Sequence, residues 1–216
     1  MNTKIMGNTK WLLLAVLAIA SITLSTTSFA EKTNFSHTGL SIDIGSGAYK
    51  SPPCAAGYCM STVGLASLSG SIQFADDLLV ASFGSTGVSY SNPVWTYRES
   101  DVSLGLGIVK ALGDRVDVNA VVASLSAKSE VCGVLCIITD DTGIGYGAGL
   151  TIGLNDLKTF VGRISISSSK YSKATKSTET TGLGLGYYAT KNSEIGISYG
   201  TNDAASSTTI GYAYHF

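Results

Sequence analysis

The chain has 216 residues, of which 44% are apolar and only 13% charged, and its mean hydropathy is +0.27. Beyond residue 30 no apolar run approaches the ~20 residues of a membrane-spanning helix, which argues against helical membrane spans in that part of the chain. Setting aside residues 1–30 leaves 12 basic against 15 acidic residues, a net charge of −3 that argues against a nucleic-acid partner.

In chain order, the first segment reads as a secretory signal. Lys4 and Lys10 supply the positive region, Trp11 to Ala20 the apolar region, and Ser28-Phe29-Ala30 a small-residue cleavage site. The expected division is therefore a signal peptide over 1–30 and one domain over 31–216. The first Cys after the apolar region is Cys54, well past the expected cleavage site, so a lipid anchor there is not expected.

The rest alternates apolar with small or polar residues, the period of a strand with one apolar face. Ten strands are expected, at 37–49, 61–75, 78–90, 100–112, 115–128, 142–154, 158–171, 179–190, 193–201 and 206–216. The first sets Leu40, Ile42 and Ile44 against Ser41, Asp43 and Gly45. In the second, Val63 and Leu65 have one parity and Ile72 and Phe74 the other, so a bulge or bend is expected near Ser67 to Gly70. The sixth is clearest, with Ile144, Tyr146, Ala148 and Leu150 opposed to Gly143, Gly145, Gly147 and Gly149. The eighth and ninth repeat the pattern. Short turns at Asp76-Asp77, Gly113-Asp114, Asn155-Asp156-Leu157 and Lys191-Asn192 alternate with longer connections near 50–60, 91–99, 129–141, 172–178 and 202–205. Aromatics gather at strand ends. Phe35, Phe74, Phe160, Tyr187, Tyr188, Tyr212, Tyr214 and Phe216 fall at one end, and Tyr49, Tyr90, Tyr146, Tyr171 and Tyr199 at the other.

A chain this apolar, with its apolar residues dispersed at every second position, fits a closed transmembrane barrel. Such a barrel satisfies all backbone hydrogen bonds between strands and exposes alternate residues to lipid. The expected fold is all-β, an antiparallel up-and-down barrel of about ten strands, with eight as the alternative. A soluble β-sandwich suits 25 Gly and so few charges less well.

The final strand ends Thr209-Ile210-Gly211-Tyr212-Ala213-Tyr214-His215-Phe216. This resembles the C-terminal signature of bacterial outer-membrane β-barrel proteins, a polar residue, Gly, an aromatic and a terminal aromatic, held here by Thr209, Gly211, Tyr214 and Phe216. The resemblance implies recognition by the barrel assembly machinery, an outer-membrane location, periplasmic termini and extracellular longer loops. It names a broad superfamily and no subfamily.

Several groups are candidates for function. Cys54/Cys59 and Cys132/Cys136 form close pairs in predicted outside loops of an exported chain, so two local disulfides are expected. Zinc ligation by the four thiols is the alternative, but no His lies nearby and the spacings differ from common zinc motifs. Around the second pair, Val131, Val134, Leu135, Ile137 and Ile138 make the loop apolar. Either the flanking strands extend above the membrane, or the loop is a contact surface. Lys170, Lys173 and Lys176 are candidates for contact with lipopolysaccharide phosphates, or are ordinary solvated charges. Asp43, Asp117, Arg163 and Glu194 fall opposite the lipid stripes and are expected in the lumen, because a charge facing lipid costs roughly 2–4 kcal/mol. They form either a paired plug or a solute-selecting lining. The inward glycines are expected to serve curvature, with a narrow water-filled lumen as a consequence.

Catalysis has little support. His37 and His215, the two His of the chain, both lie at the predicted periplasmic strand ends, away from the outside loops. The expected function is non-enzymatic and cofactor-free: a narrow porin-like channel or a structural outer-membrane protein. The alternative is a surface adhesion or lipopolysaccharide-binding protein acting through its outside loops.

Overall fold

A computed structural model describes residues 34, 35, 37–55, 57–74 and 79–216. The signal segment, the expected cut after Ala30 and the Asp76-Asp77 turn lie outside the described residues. Twelve strands follow in order: β1 (Gly39–Tyr49), β2 (Cys54–Ala55), β3 (Tyr58–Cys59), β4 (Thr62–Phe74), β5 (Leu79–Ser91), β6 (Thr96–Ala111), β7 (Val116–Cys132), β8 (Cys136–Gly153), β9 (Phe160–Tyr171), β10 (Thr178–Thr190), β11 (Ser193–Thr201) and β12 (Ala205–His215). Ten of them close into one antiparallel barrel in the order β1-β12-β11-β10-β9-β8-β7-β6-β5-β4, while β2 and β3 form a separate small hairpin. Closure is made by β1, which pairs with β12 on one edge (Ile42↔Tyr212) and β4 on the other (Ile42↔Leu68).

Alternation decides which face meets what. Ile44, Leu104, Leu106, Ile144, Ile166 and Ile210 all stand on the outside, each more than half exposed. Leaving each such side chain in water would cost ~1.5–3 kcal/mol, so this continuous apolar belt is a surface built for lipid. The rim that carries Phe216 is termed the terminal rim, and the opposite one the distal rim. At the terminal rim, Phe74, Phe160, Tyr187, Tyr212, Tyr214 and Phe216 are exposed on the outside and make an aromatic girdle. Rings pair within it, Phe160 with Tyr187 at 4.9 Å and Tyr214 with Phe216 at 5.5 Å.

Four expectations are corrected. The pairing of β4 with β1 and β5 runs without a register shift through Ser67 to Gly70, so there is no bulge. The parity change has another cause: Val63 and Leu65 point into a core inside the distal rim, while Ile72 and Phe74 point out to the belt. Second, the connection expected at 129–141 shrinks to 133–135, because β7 and β8 continue to Cys132 and Cys136, as the reading in which the flanking strands extend has it. β6 likewise begins at Thr96, which shortens the expected loop at 91–99 to 92–95. The alternation of short and long connections is thus weaker than expected, since pairing in the ladder satisfies backbone groups that a loop would leave to water. Third, the expected connection at 50–60 contains the β2–β3 hairpin, in which Cys54 and Cys59 are direct partners. Fourth, Phe35, Tyr49 and Tyr171 are buried in the barrel and do not belong to a girdle; at the distal end only Tyr146 and Tyr199 of the expected set are exposed on the outside.

Candidate functional site: lumen and distal rim

Inside the terminal rim, the segment before β1 is held by one carboxylate. The backbone N–H of Asn34, its Nδ2 and the backbone N–H of Phe35 all donate to Asp117, each at 3.0 Å. Asn34 Nδ2 also donates to Gly113 O at 2.8 Å, and Lys158 Nζ donates to Asn34 Oδ1 at 3.0 Å. His37 Nε2 stands 3.4 Å from Asp117 Oδ2. Burial of His37 holds its imidazole below the ordinary value despite the neighbouring Asp117, so it is neutral at pH 7. Phe35 is driven into the same mouth and is buried there. The two described residues Asn34 and Phe35 therefore act as a latch across the terminal opening.

Farther in, Arg163 and Glu194 form a fork-to-fork ion pair, with Nη2 to Oε2 at 2.7 Å and Nη1 donating to Oε1. His215 Nε2 lies 3.3 Å from Glu194 Oε2. Asp43 accepts from Ser67 Oγ at 3.4 Å. Two inward glycines seat these charges. A Cβ at Gly186 would lie 2.1 Å from Glu194 Oε1, and one at Gly211 would lie 1.9 Å from Asp43 Oδ1. At these positions the absent side chain is space already taken by a charged neighbour. A cavity of about 80 Å³, lined by Asp43, Arg163 and Glu194, remains between them, room for a few waters.

The distal end of the lumen is packed with apolar groups. Met60 and Tyr97 are fully buried, against Tyr49, Val63, Leu65, Val88 and Ala205. Met60 follows directly on the β2–β3 hairpin, and its backbone N–H donates to Pro53 O at 2.9 Å. Below this cap, Tyr97 Oη donates to Glu99, and Glu99 and Asp101 are both buried. Sequence reasoning missed Tyr97 and Glu99 because it started the strand at residue 100, and it passed over Asp101 just inside that start. The signal was present: they share the inward parity of Ser103 and Gly105, opposite the outward run Val102, Leu104, Leu106 and Ile108.

At the distal rim both disulfides are formed, Cys54–Cys59 and Cys132–Cys136. The second closes the tip of the β7–β8 hairpin, where Val134 is 103% and Leu135 82% exposed. Lys173 is committed, its backbone N–H to Asp141 at 3.2 Å and its Nζ to Asp140 O. Lys170 and Lys176 are exposed, on β9 and in the loop after it. The His–carboxylate pairs have the elements of a general base, but both imidazoles are buried within the wall, 5% and 1% exposed.

Fold and surface together define the class: a ten-stranded transmembrane β-barrel. No family model matches the sequence, and no curated protein does. Among solved structures it is similar to Ail, the attachment invasion locus protein of Yersinia pestis, at 17% identity over 83% of this chain and 99% of that one, with a TM-score of 0.46. It is also similar to the translocator domain of autotransporter NalP from Neisseria meningitidis, at 11% identity over 94% and 99% of the two chains, TM-score 0.48. A further match is the N-terminal β-barrel domain of Pseudomonas aeruginosa OprF, at 12% identity over 86% and 100%, TM-score 0.41.

Proposed function

We propose that this chain is a non-enzymatic outer-membrane barrel whose lumen is held shut and whose working surface is the extended distal wall of β6, β7 and β8. The carrying observation is a contrast. The interior is occupied at both rims by packed side chains, while the disulfide-closed β7–β8 tip presents Val134 and Leu135 to solvent beyond the apolar belt. An apolar tip raised on a rigid hairpin is suited to adhesion. In this reading residues 1–30 are removed on export, the termini are periplasmic and the distal rim is extracellular. Thr209, Gly211, Tyr214 and Phe216 serve as the assembly signal; Tyr214 and Phe216 stand exposed on the outside, where assembly factors have access.

The second reading is the narrow channel, favoured by the charged cavity at Asp43, Arg163 and Glu194. The refolded mature chain in a planar bilayer, with folding verified by heat-dependent gel mobility, separates the two. A folded barrel without discrete openings is expected; reproducible openings would overturn the sealed reading. For the adhesive tip, cells displaying the barrel are expected to adhere to polystyrene beads, and Val134→Asp with Leu135→Asp to lose most of that adherence at equal surface display. Undiminished adherence would remove the tip from the function.

A further inference from the structure

Toward the distal rim, the outward side chains of one wall become small. Ile44 on β1 and Ile210 on β12 give way to Ser46 and Thr208, and the next strands present Ala66, Gly64, Gly87 and Ser89. An exterior groove of about 1010 Å³ runs over this low floor and reaches β6 and β7. Arg98 and Lys128 stand at that edge, on adjacent strands. They are diagonal neighbours, because Ser100 is the direct partner of Lys128. Neither cation has a hydrogen bond or ion pair among the described residues. Glu130 faces Arg98 in the register, one row farther from the belt than Lys128, and Asp140 faces Lys128 from the other side; neither carboxylate makes an ion pair with its cation.

The height of the groove decides what it holds. It begins at the last row of the apolar belt, at Ile44 and Ile210, and ends among polar outward residues such as Ser100 and Ser89. That is the level at which acyl chains give way to headgroups. Space vacated there must be filled by the surrounding leaflet, and two unpaired cations above an apolar foot are complementary to a phosphate carried on a hydrocarbon anchor. We propose that the groove seats one phosphate-bearing lipid, its acyl part over Ile44 and Ile210 and its phosphate between Arg98 and Lys128. The inference rests on the outer-membrane reading, and it locates lipid contact away from Lys170, Lys173 and Lys176.

The test is native mass spectrometry of the folded barrel released from detergent micelles after addition of diphosphoryl lipid A. The wild type is expected to retain one lipid, which inorganic phosphate does not displace. Arg98→Gln with Lys128→Gln is expected to weaken retention by at least about tenfold, the scale of losing charge-assisted hydrogen bonds. Gly87→Leu should weaken it comparably by filling the floor; a Cβ there meets only Ala66 O, at 3.9 Å, so the strand has room for it. Lys170→Gln with Lys176→Gln should leave retention unchanged. Retention that survives the Arg98/Lys128 change, that survives Gly87→Leu in a folded barrel, or that is equal for dephosphorylated lipid overturns the proposal. Displacement by inorganic phosphate does so too. Failure of the outer-membrane reading would show separately, as fractionation of the protein away from the outer membrane while the purified barrel still retains lipid.

Discussion

Glu194→Leu is expected to destabilise the barrel by about 3–5 kcal/mol, the range found when one partner of a buried ion pair is removed and the other is left uncompensated. The side chains of Arg163 and Glu194 are 14% and 4% exposed, so only the few waters that the adjoining cavity has room for could solvate the orphaned guanidinium. His215 loses its carboxylate neighbour in the same step. The double change Arg163→Leu with Glu194→Leu should recover much of the loss, because no unpaired charge then remains. Guanidinium unfolding in micelles, followed by the gel-mobility shift of the folded form, measures both. A single variant as stable as wild type would mean that water reaches the pair, and the closed-lumen reading would fail with it.

The second large effect is expected at Asp117. Its carboxylate is the acceptor for three donors of Asn34 and Phe35, two of them backbone N–H groups. Asp117→Ala leaves those donors without an ionised partner and is expected to cost about 3 kcal/mol, concentrated in the latch. The consequence is local. The segment before β1 should leave the terminal mouth and become open to protease, while the barrel keeps its heat-dependent mobility. Cleavage near Asn34 in the variant but not in wild type is the expected pattern. Should the variant remain as resistant as wild type, the segment is held by the burial of Phe35 and not by Asp117. Asp117→Asn, which keeps an acceptor oxygen but not the charge, should fall between.

Much of the fold was legible because the barrel wall has one simple rule. Every second residue meets lipid, so Ile42/Ile44 on β1, Leu183/Leu185 on β10 and Ile195/Ile197 on β11 announce both a strand and its outward face. The ten barrel strands lie within a few residues of the expected spans where that rule applies. It stops at the edge of the bilayer. Above the belt, outward Arg98, Ser100, Lys128 and Asp140 are polar, and apolar Tyr97, Leu125 and Val63 turn inward. Periodicity there inverts or fades, which is why the distal parts of β6, β7 and β8 read as loop and why β4 read as bulged.

The candidate sites divide along the same line. Parity alone assigned Asp43, Asp117, Arg163 and Glu194 to the interior, and close spacing in an exported chain led to the two cysteine pairs. Which charge meets which depends on register, a property of pairs of strands. The Arg163–Glu194 pair joins β9 to β11 across β10, at the point where Gly184 is opposite Arg163 and Tyr188 opposite Glu194. The latch spans 83 residues of sequence, from Asn34 to Asp117, and the exterior groove draws on β12, β1, β4, β5, β6 and β7. What the linear chain determined by itself is the closed antiparallel wall and its apolar exterior, because alternation is a local property that each strand carries alone. Only the tertiary structure decided that apolar side chains pack inside the distal rim, that Gly186 and Gly211 seat charges, and that two unpaired cations share an exterior groove at the edge of the belt, because each of these depends on which strands become neighbours and in what stagger.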